Sequence, residues 1–396
     1  MNLKEKLKSD YALVFGKTWP VWVGGVAIGV INVFMFMFYQ PWSTLDGVLN
    51  WGDWSLHLAG IRATNALSPL LRTGSVVNIG LIAGAFLSAL LSKQFGVRVG
   101  PVRELVKGAI GGVLIGIGAV LVRGCNIGGF FSGTSALGMH GLMMALGLTI
   151  GAFFGARFLM WEMMRGVGSS DSSGSSSEAK PSRLPAFLTN RDYQPYFALV
   201  IILVFVGAVL IYIRDGNYLQ GVILLFGGLL GIISQRSRLC FVHAFREPFL
   251  TGDASHTKAM LLALVISIIG FSIVKADTFN DKTLDFVRAT FWQGSLVGGI
   301  IFGFGMTIAG GCGGGMMWRV GEGHVKLWMA LIGYVTAAAF FDDWLVDSGT
   351  INKLGQTVFL PDVVGWGWAL VSMGVLILLW YLLVQWNEYT HRFAAI

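Results

Sequence analysis

Ten apolar runs, each about long enough to cross a bilayer, govern what this chain can fold into. They lie near residues 18–38, 75–92, 108–123, 137–161, 195–213, 218–235, 257–276, 290–310, 325–342 and 363–386. A spanning helix needs about 20 such residues. Lipid offers no partner to a free backbone N–H or C=O, so each run must close its hydrogen bonds within itself, as a helix. The ten-residue alternation of a membrane barrel is absent. Only 12% of the residues are charged, against about 25% in soluble domains. The expected class is therefore all-α and polytopic, a membrane protein and not a soluble enzyme.

Lysine and arginine set the expected orientation. A cytoplasmic N-terminus puts Lys4, Lys6, Lys8 and Lys17 inside, then Lys93, Arg98, Arg103 and Lys107. It also puts Arg165, Lys180, Arg183 and Arg191 inside, followed by Arg236, Arg238, Arg246 and Lys258, and finally Arg392. Only scattered basic residues, such as Arg62, Arg72, Arg214 and Lys353, fall outside. Both termini are thus expected in the cytoplasm of an inner-membrane protein. The formal charge of +7 marks topology, not a nucleic-acid stripe, because the basic residues sit at the ends of apolar runs. The lysines near the start lead into an apolar run too long for a signal peptide.

The chain divides into an N-terminal membrane half (1–164), a Ser/Gly-rich cytoplasmic linker (165–194) and a C-terminal membrane half (195–396). Residues 40–73 read as the longest outer loop, with Trp42, Trp51 and Trp54 expected at the lipid headgroups.

The halves carry a repeat. Residues 111–125, GGVLIGIGAVLVRGC, recur without a gap, 187 positions on, as 298–312, GGIIFGFGMTIAGGC. Gly111, Gly112, Gly116, Gly118, Gly124 and Cys125 become Gly298, Gly299, Gly303, Gly305, Gly311 and Cys312. On the topology above, the first copy runs outward and the second inward. That is the pattern of two inverted, pseudo-symmetric halves, which place a substrate near the bilayer midplane at broken helices. Glycine density around Cys125 and Cys312 disfavours a continuous helix, so re-entrant breaks are expected there. Irregular backbone at that depth must line a cavity or be buried in protein, and its N–H groups suit an anion. Gly-xxx-Gly series such as Gly147, Gly151 and Gly155, or Gly80 and Gly84, read as packing contacts.

The third cysteine, Cys240, stands in SQRSRLCFVHAFREPF, expected as a short helix folding back into the membrane, with Cys240 near the inner mouth. No first-half cysteine matches it. Three cysteines without CxxC spacing do not make a disulfide framework. A lone cysteine is most often a small buried hydrophobe, whereas two in matched Gly-rich breaks read as functional. Polar residues within spans are few: Asn78, Arg123, Asn126 and Gln293. Arg123 either offers a cation to the substrate or snorkels to the surface. Glu322 and His324 read as surface groups. Among candidate soft metal ligands only Cys240 and His243 have ligand spacing, so no metal site or cofactor is expected. No Ser-His-Asp order, HExxH, Walker A or CxxCH motif is present, so no enzyme is expected.

The stretches RGCNIGGFFSG, RSRLCFVHAFRE and AGGCGGGMMWR resemble the three cysteine motifs of the YeeE/YedE family of sulphur-transport membrane proteins. Length, linker and motif order are similar to its fused branch, associated with selenium or thiosulfate. The resemblance runs from about residue 75 to the end. It implies transport of a small sulphur- or selenium-bearing anion into the cytoplasm along Cys125, Cys240 and Cys312, flanked by Gly124, Asn126, Gly311, Gly313 and Arg123. It also implies a small soluble sulphur carrier of the TusA type as cytoplasmic partner. The alternatives are a membrane thiol enzyme, with Cys240 activated by Arg236 and Arg238, and a transporter of an unrelated solute or soft metal.

Overall fold

A computed structural model describes residues 5–6, 9, 11–62, 67–168, 193–277, 291–350 and 354–394. Most of the linker, together with Lys4, Lys8, Lys180, Arg183, Arg191 and Lys353, lies outside the described residues. Among those described there are helices and no strand. Ten helical segments are long and apolar enough to span a membrane, and they coincide with the ten apolar runs.

The elements are α1 (Val21–Phe38), α2 (Leu45–Leu58), α3 (Thr73–Leu91), α4 (Val102–Val122), α5 (Met139–Gly168), α6 (Gln194–Arg214) and α7 (Tyr218–Ser237). They continue as α8 (Phe241–Leu250), α9 (Ser255–Asp277), α10 (Trp292–Ala309), α11 (Gly313–Glu322), α12 (Val325–Asp347) and α13 (Trp366–Thr390). A π-helical turn, Asn126–Ser132, joins α4 to α5. Four groups share one order of long helix, short element, long helix: α1-α2-α3, α4-turn-α5, α7-α8-α9 and α10-α11-α12.

Their packing is reciprocal. The helix α3 packs on α7 as α9 packs on α1, and α5 packs on α10 as α12 packs on α4. Likewise α8 touches α5 as α2 touches α12. Small residues make this possible, because lipid gives helices no hydrophobic reason to associate and close van der Waals contact must hold them. A Cβ added to Gly80 would stand 2.7 Å from the Leu224 carbonyl oxygen, and one on Gly151 2.7 Å from the Phe304 nitrogen. Outside this bundle, α6 and α13 turn most of their surface outward, with Leu199, Leu203, Leu379 and Leu383 exposed as lipid-facing residues.

The segment 40–73 departs from its expectation. It is not a loop over the headgroups, since α2 inserts into the bundle between α3 and α12. Trp42 is buried in the core. Its backbone N–H donates to Asn32 Oδ1 at 3.0 Å, and its carbonyl accepts from Ser132 Oγ at 2.9 Å. Asn78, a polar residue inside a span, is the anchor: its Nδ2 donates to the Thr44 carbonyl at 2.9 Å. Hydropathy missed α2 because it mixes polar residues such as Asp46, Asn50, Asp53 and His57 with apolar ones.

Candidate functional site: three thiols at helix breaks

Three long helices end alike. Arg123, Arg238 and Gly310 take the left-handed conformation, with φ of 59°, 57° and 77°. That conformation is a common helix terminator, costly for any residue but glycine. Two residues on, in extended backbone, stand Cys125, Cys240 and Cys312, each immediately before the next helical element.

Cys125 and Cys312 use their sulphurs as caps. Cys125 Sγ accepts from the Gly128 and Thr44 N–H groups, both at 3.4 Å. Cys312 Sγ accepts from the Gly315 N–H at 3.2 Å. The expected backbone donors of the breaks are therefore partly engaged by sulphur. All three thiols are free and buried. The Cys240 and Cys312 sulphurs lie 4.0 Å apart, so Cys240 belongs to the buried centre and not to the mouth.

The two breaks meet. Asn126 Oδ1 accepts from the Gly313 N–H at 3.2 Å. A Cβ on Gly313 would stand 2.7 Å from Thr44 Oγ1 and 3.1 Å from Cys125 Cβ, so only glycine fits between them. Gly124 is held as tightly, since a Cβ would come to 2.6 Å from the Gly129 nitrogen, whereas at Gly311 a Cβ would meet only the tip of Leu327, Cδ2 at 2.8 Å. The structure thus gathers Cys125, Cys240, Cys312, Gly124, Asn126, Gly311 and Gly313. Arg123 stands apart, its guanidinium donating to Asp342 Oδ1 at 2.6 Å.

Around this centre lie neutral donors that sequence reasoning passed over. The Thr44 and Tyr334 hydroxyls lie near one another, and Asn126 lies near Cys312. Thr44 Oγ1, Tyr334 Oη, Asn126 Nδ2 and Trp42 Nε1 are all buried without a well-directed hydrogen bond. Such groups normally find partners, and each exception calls for a reason. A signal for Tyr334 existed: it interrupts an apolar run at mid-span, while membrane tyrosines favour the interfaces.

The charges near Cys240 also differ from expectation. Arg236 turns away and donates to the Lys17 carbonyl. Arg238 donates to Glu322 Oε2 at 2.9 Å and to Gln94 Oε1 at 2.7 Å. The basic groups sharing the surroundings of Cys240 are Arg319, His243 and His256. The Arg319 guanidinium lies 3.4 Å from His243 Nε2 and donates to the Gly310 carbonyl at 2.9 Å.

Glu322 is fully buried, not a surface group. Its carboxylate accepts from Gln235 Nε2 at 2.8 Å and from Arg238, tying α7 to α11. Glu322→Ala is expected to lower stability by about 2 kcal/mol, because buried donors lose their acceptor. The check is the thermal unfolding midpoint in detergent, and Glu322→Gln should recover part of the loss.

The family described as sulphur transport matches residues 2–154 and 236–395. The chain is 28% identical over 402 residues to "Probable transporter YedE" of Escherichia coli K12, covering 96% of this chain and 95% of that protein. It is 38% identical over 130 residues to "Thiosulfate transporter TsuA" of Spirochaeta thermophila, covering 31% of this chain and 38% of that protein. The Escherichia coli K12 TsuA is 34% identical over 117 residues, covering 29% of this chain and 32% of that protein.

Proposed function

The chain belongs to the sulphur-transport family of membrane proteins, and from that premise we propose that it carries a small anion of the thiosulfate class inward along Cys125, Cys312 and Cys240. The observation that carries this reading is the meeting of two Gly-Cys breaks, from helices 187 positions apart, in one buried cluster of neutral donors. Relatives named as thiosulfate transporters support the substrate class.

The chemistry of this cluster suits such a cargo. Backbone N–H groups occupy acceptor positions on Cys125 and Cys312. What a neutral thiol then has left to offer is its S–H, a weak donor matched to a sulphur atom. Asn126, Thr44, Tyr334 and Trp42 supply firmer donors for oxygen atoms. An anion held by neutral dipoles binds without an ion pair that would resist its release. Arg319 and His243, beside Cys240, draw the charge toward the cytoplasm. The two halves, on this reading, are inverted repeats with both termini cytoplasmic, and a small sulphur carrier of the TusA type collects the product.

Uptake into proteoliposomes tests the proposal. Labelled thiosulfate should accumulate, and sulfate, which has no terminal sulphur, should compete weakly. Cysteine-dependent uptake of selenite alone would transfer the path to a selenium substrate. Absence of uptake of any of the three anions would overturn the proposal.

A further inference from the structure

We propose that Ser43 is the outward counterpart of Cys240, a hydroxyl that receives the oxygen end of the anion before the sulphur end reaches Cys125. This rests on the transport reading above and adds to it the first contact of the path.

The repeat identifies the position. Its offset of 187 aligns Gly128 with Gly315. Both glycines donate a backbone N–H to a break cysteine, Cys125 in one case and Cys312 in the other. A Cβ on Gly315 would press on Cys240 Sγ at 2.5 Å. A Cβ on Gly128 would press on the Ser43 hydroxyl, with Ser43 Cβ at 2.7 Å. Ser43 therefore stands toward Gly128 and Cys125 as Cys240 stands toward Gly315 and Cys312. The surrounding elements agree. Ser43 lies between α1 and α2, as Cys240 lies between α7 and α8, and those helices pack reciprocally.

Exposure separates the two. Cys240 is sealed in the core, whereas Ser43 is half-buried and stands with Gln40 and Thr73 as the polar side of a narrow cleft whose other walls are apolar, among them Phe38, Val77 and Ile223. Among the described residues no charged side chain lines this cleft. Asp46 and Arg72, at its edge, are paired with each other at 2.5 Å. The first turn of α3, at Thr73 and Gly74, borders the cleft and has no side-chain cap. The Ser43 hydroxyl makes no hydrogen bond among the described residues, so it is free to donate. A hydroxyl at this place, and a thiol at its counterpart, sorts the two ends of the cargo. O–H donors make short bonds to oxygen, while S–H is the softer and weaker donor. Thiosulfate carries both kinds of atom.

Two variants of the full chain test this. Ser43→Cys, nearly isosteric, is treated from outside with a membrane-impermeant methanethiosulfonate reagent. The introduced thiol should react, and saturating thiosulfate should slow the reaction at least several-fold. The three native cysteines, being buried, supply the unreactive background. In uptake assays, Ser43→Ala should raise KM for thiosulfate roughly 5- to 30-fold, the loss of one hydrogen bond to an anion, with Ser43→Cys intermediate. No reaction from outside, reaction that thiosulfate leaves unchanged, or a wild-type KM in Ser43→Ala each overturns the assignment. If Cys125→Ala loses uptake while Ser43→Ala does not, the cysteine path stands and Ser43 falls. If neither alters uptake, the cysteine path itself falls.

Discussion

Cys312→Ala is expected to reduce thiosulfate uptake roughly 10- to 100-fold while the protein still elutes as a folded species. The thiol sits where both breaks converge, within 4.0 Å of the Cys240 sulphur and capped by the Gly315 N–H at 3.2 Å. Removing a hydrogen bond to a charged ligand costs about 1.5–3 kcal/mol, and each 1.4 kcal/mol is tenfold. The alanine variant alone is ambiguous, because the sulphur also caps α11. Cys312→Ser separates the roles. Serine is among the best N-caps, so it should restore the stability lost in Cys312→Ala. It should not restore transport, because a hydroxyl on a shorter bond withdraws the soft donor from the path. Wild-type uptake by Cys312→Ser would show that the residue serves only as a cap. The matched Cys125→Ser should behave alike, since its sulphur also caps a helical element.

Gly112→Leu is expected to have the largest effect on folding. A Cβ at this position would stand 2.7 Å from the Ala330 carbonyl carbon and 2.9 Å from Ala330 Cα. These are backbone atoms of α12, so no side chain can turn aside. The helices α4 and α12 would have to separate along their contact, and α4 leads directly into the Cys125 break. Overpacking typically costs 1–3 kcal/mol where side chains can adjust; here about 3 kcal/mol or more is expected. Thermal unfolding in detergent measures it, with Gly374→Ala as the control. Gly374 lies in α13 with nothing within 4 Å of an added Cβ, so alanine there should be neutral or stabilise by up to about 1 kcal/mol. Equal behaviour of the two variants would show that close packing at Gly112 does not matter to the bundle.

Gly112 shows how far the sequence could be read. Its recurrence as Gly299 was visible in the repeat, and glycine at helical spacing already meant close packing. Which helix approaches was not visible, because α4 meets α12 across more than 200 residues of chain. The spans were legible because insertion in lipid depends on the apolar content of one segment at a time. The cysteine breaks were legible because glycine-rich backbone cannot sustain a helix. The helix α2 was not: with polar residues on a short element, it looks like loop unless its protein surroundings are known. Glu322 misled for the same reason. A carboxylate in what looks like a cytoplasmic loop after the second break reads as surface, and only the approach of Gln235 and Arg238 permits its burial.

By itself, then, the sequence determined the ten spans, the repeat and the two Gly-Cys breaks, since each follows from local composition and backbone preference. The tertiary structure alone decided that Cys240 lies against Cys312, that Asn126 bridges the two breaks, that Arg123 belongs to Asp342, and that Ser43 stands beside Gly128 and Thr44 beside Gly313. These are meetings between segments distant in the chain. They are fixed by which helices pack together, a property of the assembled bundle that no single stretch of residues encodes.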